Sequence, residues 1–114
     1  MLALALQTAV AFNLVCTGTM QLNGIERPDE TVLRVDLESG RFCFADCGRV
    51  ERIARVTDAE ILFQDVPLPA TGGRVVRRYD RASGDYLLSS VAGSVNIEVR
   101  GRCTTAPFTG FRRG

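Results

Sequence analysis

The 114-residue chain contains no histidine, no tryptophan and no lysine. Each absence removes a class of chemistry. Without His the chain lacks the commonest general base, the commonest zinc ligand and the side chain that titrates near neutrality. Without Lys, all 14 basic residues are Arg, and 13 acidic residues leave a formal net charge of +1. No whole-molecule field therefore draws the chain to nucleic acid or to an anionic membrane. Long apolar runs are missing too. The best one, Met1 to Phe12, is interrupted by Gln7 and then Asn13, short of the ~20 residues of a membrane-spanning helix. Phosphate loops, nucleophile elbows and metal-binding helix motifs are absent, so no cofactor and no catalytic residue are expected.

What the chain does have is a turn that occurs twice. Val35-Asp36-Leu37-Glu38-Ser39-Gly40-Arg41-Phe42 returns as Tyr79-Asp80-Arg81-Ala82-Ser83-Gly84-Asp85-Tyr86. Both copies read as strand, Asp-x-x-Ser-Gly, strand. The Asp caps a type I turn through its own side chain, and the Gly takes the positive-φ position that closes a bulged hairpin. An aromatic two residues past each Gly, Phe42 or Tyr86, returns to a strand face.

Alternation extends this pattern along the chain. Phe12, Leu14, Cys16, Gly18 and Met20 share one face of a first strand. Leu33, Val35 and Leu37 share one face of a second, and Val95, Ile97, Val99, Gly101 and Cys103 one face of the last. Gln21 to Glu30, with Asn23-Gly24 and Arg27-Pro28-Asp29, reads as turn. Val50 to Val56 fits either a helical turn or a strand. Val66 to Gly73, with two Pro and Gly-Gly, reads as the longest loop. Residues 104–114 read as an irregular tail whose Phe108 and Phe111 cover an open end of the core. The sum is an all-β fold: an antiparallel meander of seven or eight short strands, closed as a small up-and-down barrel, with a β-sandwich as the alternative. At this length residues 12–114 make one domain.

Four cysteines in so short a chain point to an oxidising compartment. Residues 1–11 agree: they form an apolar run ending in Ala9-Val10-Ala11, the small-x-small pattern of a signal-peptidase site, although the basic n-region is missing, as in a truncated signal peptide. The alternative is a buried first strand or helical turn. If first and last strands meet to close a barrel, Cys16 and Cys103 would be close, and a bond there would stabilise by roughly 4–5 kcal/mol. Cys43 and Cys47 would then pair across a tight turn, for roughly 2 kcal/mol. The rival, zinc held by all four, normally needs two close pairs of ligands where this chain has one.

Acidic residues gather at the twin turns (Asp36, Glu38, Asp80, Asp85), where capping explains them better than catalysis. Basic and aromatic residues gather around the second turn: Arg74, Arg77, Arg78 and Arg81 with Tyr79 and Tyr86. These could form an anion or polysaccharide platform, Arg forking onto anions and Tyr stacking. A plain outward strand face offset by Asp80 and Asp85 is the competing reading.

Cys16, Cys103 and the turn Ser83-Gly84-Asp85-Tyr86 resemble the periplasmic inhibitors of C-type lysozyme, small barrels whose Ser-Gly loop enters the lysozyme cleft. The second motif of that family uses a Lys, which this chain lacks. The start Phe12-Asn13-Leu14-Val15-Cys16-Thr17-Gly18-Thr19 and the ending Gly101-Arg102-Cys103 are similar to small exported bacterial β proteins with no known activity. These resemblances imply a periplasmic or secreted, non-enzymatic domain that binds an envelope protein or glycan or has a structural role, or alternatively inhibits lysozyme. Its candidate binding residues are Arg77, Arg78, Tyr79, Ser83, Gly84 and Tyr86.

Overall fold

The structure, a computed structural model, describes residues 10–112. Most of the run read as a signal peptide, and the end of the tail, lie outside the described residues. Nine strands follow in order, with no helix among them: β1 (Ala11–Leu22), β2 (Ile25–Asp36), β3 (Arg41–Phe44), β4 (Glu51–Arg52), β5 (Arg55–Val56), β6 (Glu60–Leu68), β7 (Gly73–Asp80), β8 (Asp85–Ala92) and β9 (Val95–Ala106). They form one antiparallel sheet in the order β4-β3-β2-β1-β9-β8-β7-β6-β5. First and last strands do meet: β1 runs beside β9, with Cys16 opposite Cys103.

The expected closed barrel is corrected in one respect, and the two-sheet sandwich is not formed. The single sheet curls strongly but stays open, a half-barrel. Its edges are joined at one end only, by the chain itself. Glu51 of β4 pairs with Phe42, and Val56 of β5 pairs with Ile61. Between them Ile53 N–H donates to the Gly40 carbonyl and Ala54 N–H to the Phe63 carbonyl. The ambiguous stretch Val50 to Val56 is thus two short strands around a crossing. At this bridged end the core fills: Phe12, Leu14, Leu33, Val35, Phe42, Ile61 and Phe63 are all buried, with Phe42 packed edge-on against Phe63.

Two stretches read as turn and loop are strand instead. Pro28 lies within β2 opposite Thr19, and Pro67 within β6 opposite Arg74. Each sits where its strand has a neighbour on one side only, since β3 reaches only Leu33 and β5 only Leu62. A proline that donates nothing is tolerated on such an edge and also blunts it against further pairing. The tail starts later than expected, because β9 runs on to Ala106. Past it the chain covers the convex side of β1 and β2. Asn13 Nδ2 donates to Thr109 Oγ1 (3.0 Å) and its Oδ1 accepts from Thr109 N–H. Arg34 donates to the Gly110 and Arg112 carbonyls. Phe108 and Phe111 pack on each other, with Arg41 over Phe111, so they do not plug the open end.

Both twin turns fold as expected. Asp36 Oδ1 accepts from Glu38 N–H and Asp80 Oδ1 from Ala82 and Ser83 N–H, while Gly40 and Gly84 hold φ of 69° and 83°. Two disulfides, Cys16–Cys103 and Cys43–Cys47, consume every cysteine, which removes zinc ligation and is consistent with an oxidising compartment.

Candidate functional site

Beyond the filled core the sheet continues as an open concave face, and its rows can be read from register. Ile61, Tyr79, Tyr86, Gly101, Gly18 and Asp29 form one row across β6, β7, β8, β9, β1 and β2. The next row outward is Gln64, Arg77, Leu88, Val99, Met20 and Arg27, and the one after is Val66, Val75, Ser90, Ile97, Leu22 and Ile25. The two glycines leave the middle of the first row without side chains.

A polar belt crosses this face just above the core. Arg77 Nε donates to Gln64 Oε1 (2.7 Å) and Arg77 Nη1 to the Tyr86 hydroxyl. Gln64 Nε2 in turn donates to Glu51 (3.2 Å), on the crossing segment. The Arg77 guanidinium lies 4.7 Å above the Phe44 ring, where its charge meets the negative face of the aromatic. Tyr86 is only 2 % exposed. Burial pushes its hydroxyl pKa up, opposed by the charge and hydrogen bond of Arg77. The Asp29 carboxylate adds to the rise and the Thr31 hydroxyl opposes it.

Above the belt the face turns apolar and reaches solvent. Ile25, Val66 and Val95 are 61 %, 45 % and 43 % exposed, and Met20, Leu88 and Ile97 are half-buried against the core. A slot of about 320 Å³ opens where the half-barrel fails to close, lined by Thr31, Val32, Phe44, Ala45, Arg77 and Leu88, with Glu30 at its rim. A larger depression of about 490 Å³ lies elsewhere, around Glu60, Arg78, Asp85 and Arg100. Its cations are already paired, Arg78 with Glu60 at 3.5 Å and Arg100 with Glu98. We therefore place the site on the concave face.

The residues singled out by sequence do not form one platform. Arg77, Tyr79 and Tyr86 point into the half-barrel and Arg78 points out, as alternation requires. Ser83 and Gly84 remain at the turn, where the Gly84 carbonyl accepts from Cys103 N–H (2.8 Å). Burial raises the Tyr79 pKa as well, with Arg81 opposing and Asp80 adding. Gln64, Phe44, Leu88 and Met20 were missed. The available signal was Arg77 itself, which shares its strand face with Val75 and Tyr79. An arginine on the apolar parity of a strand marks a polar group turned inward.

The turn carboxylates are committed elsewhere. Hydrogen bonds from Ser83 and Ala82 N–H hold the Asp80 carboxyl below its ordinary range. Asp85 pairs with Arg102, and away from the turns, on β6, Asp65 pairs with Arg74. Among the described residues no group of three or more metal-ligating side chains converges, and no helix is long and apolar enough to cross a membrane. No family model matches the chain, and neither a curated protein nor a solved structure does.

Proposed function

We propose that this is an exported, non-enzymatic binding domain of the bacterial envelope, and that its binding surface is the open concave face. The observation carrying this reading is the apolar row that runs past the filled core to exposed Ile25 and Val66. Contiguous apolar surface left to solvent on a small domain marks a place where something else packs. The absence of His and the engagement of the acids in turns and ion pairs support the non-enzymatic part. Of the partner classes anticipated, a glycan would find few stacking platforms, because both tyrosines are buried. An apolar or amphiphilic partner suits the face better.

The test is the fluorescence of 1-N-phenylnaphthylamine, an apolar dye, added to purified protein. Enhancement that Ile97→Asp removes supports the reading, and no enhancement at micromolar protein overturns it. The lysozyme-inhibitor reading rests on the exposed Ser83 tip alone, since Tyr86 is turned inward. It requires the protein to block lysozyme at micromolar concentration and Ser83→Ala to weaken that block.

A further inference from the structure

Resting on the concave face as the binding surface, we infer that its ligand is an unbranched carboxylate of fatty-acid type, with its head on Arg77 and its chain running outward over Leu88 and Ile97. The guanidinium is held by Gln64 through Nε and by Tyr86 through Nη1. Neither hydrogen bond uses Nη2, and among the described residues no carboxylate comes within salt-bridge distance of Arg77. No buried side-chain nitrogen or oxygen among the described residues lacks a partner, so Nη2 is reached by solvent, and Arg77 is one of the residues lining the slot. An arginine oriented by two neighbours and stacked on Phe44 has lost most of its rotamer freedom before a ligand arrives. That favours a charge-assisted bond to an anionic oxygen.

Charge elsewhere on the face is consistent with one anionic head. Asp29 is the carboxylate on the same side of β2, and it accepts from the Thr31 hydroxyl (3.0 Å). Arg27 lies two residues along on that side and offsets it. Glu30 alternates to the other side of the strand and meets the slot only at its rim. Outward from Arg77, β7 continues for four residues to Gly73, about 13 Å at the rise of a strand. The surface beside it is Leu88, Val75, Ile97 and Val66, with Ser90 as the polar interruption. A polar polymer gains nothing from such a wall, whereas an alkyl chain does.

The experiment titrates the unaltered protein with octanoate, decanoate and dodecanoate below their micelle concentrations and with decanol below its solubility limit, reading dye displacement and ¹H–¹⁵N NMR shifts. Affinity should rise with chain length, by up to about fourfold per methylene. Decanoate should bind about tenfold or more tightly than decanol, and Arg77→Gln should bring the two level. The NMR shift difference between decanoate and decanol in the unaltered protein should centre on Arg77 Nε–H and Leu88, a readout that needs no variant. Decanol matching decanoate overturns the head-group assignment and leaves the concave face standing. Shifts centred on Arg78 and Arg100 overturn it as well. If neither ligand displaces the dye or shifts a resonance, the concave-face reading falls with it.

Discussion

Gly18 of β1 faces Gly101 of β9 at a backbone approach that leaves no room for a Cβ on either. A Cβ on Gly18 would stand 2.5 Å from the Gly101 Cα, and a Cβ on Gly101 would stand 3.0 Å from the Gly18 Cα. The obstructing atoms are backbone, so neither strand can yield without moving the ladder. Gly18→Ala or Gly101→Ala should therefore cost about 1–3 kcal/mol, the usual penalty of overpacking. Chemical denaturation of each variant measures it, and Gly24→Ser at the solvent-facing β1–β2 tip is no substitute control, because Gly24 holds a φ of 87°. Stability equal to the parent would show that the strands separate there.

The same two strands carry the Cys16–Cys103 bond, with a sequence separation of 87, whereas Cys43 and Cys47 are separated by 4. Loop-closure entropy makes the first worth roughly 4–5 kcal/mol and the second roughly 2 kcal/mol. Replacing Cys16 and Cys103 together by Ala should lower the denaturation midpoint more than replacing Cys43 and Cys47. The reverse order would mean that the short Cys43–Cys47 loop, which seats Phe44 under Arg77, matters more than chain entropy.

Those staples, the strand alternation and the twin turns were legible because they are local or follow from first and last strands meeting. The twin turns also hold their surroundings in the same way in both copies. The Gly40 carbonyl accepts from Ile53 N–H and the Gly84 carbonyl from Cys103 N–H, so each turn glycine ties down a neighbouring element. What sequence could not show depends on sheet position. Pro28 and Pro67 read as breakers until β2 and β6 are seen to lack a second neighbour there. Arg77 read as one of a basic cluster because local charge density hides strand parity. The belt it forms joins β7 to Phe44, Gln64 and Glu51, partners far along the chain.

On the convex side, Asn13 is 8 % exposed and is satisfied by Thr109 in both directions. Asn13→Ala removes two hydrogen bonds and leaves the Thr109 groups to find water, which should cost about 1–2 kcal/mol. Arg34→Ala frees the Gly110 and Arg112 carbonyls and should act on the same segment. The amide of Thr109 should then lose its hydrogen-exchange protection in both variants while Leu14 and Leu33 keep theirs. Protection lost equally in Leu14 would mean that the tail is part of the core.

The belt also fixes how stability should respond to alkali. Burial is the largest influence on Tyr86 and raises its pKa above the ordinary 10.0, and Arg77 only partly opposes it. Folding thus favours the neutral hydroxyl, and the unfolded chain gives up this proton at lower pH than the folded one. The stability linked to Tyr86 is accordingly complete below about pH 10 and is lost as pH rises through the higher folded value. Tyr79 shifts in the same direction, so absorbance at tyrosinate wavelengths should show both tyrosines ionising late, together with unfolding. Tyr86→Phe removes the proton in both states and should flatten the alkaline limb. It should also lower stability near neutrality, because Arg77 Nη1 loses its acceptor beside Phe44. An unchanged alkaline slope in Tyr86→Phe would mean that the Tyr86 hydroxyl reaches solvent and that the belt does not seal the core.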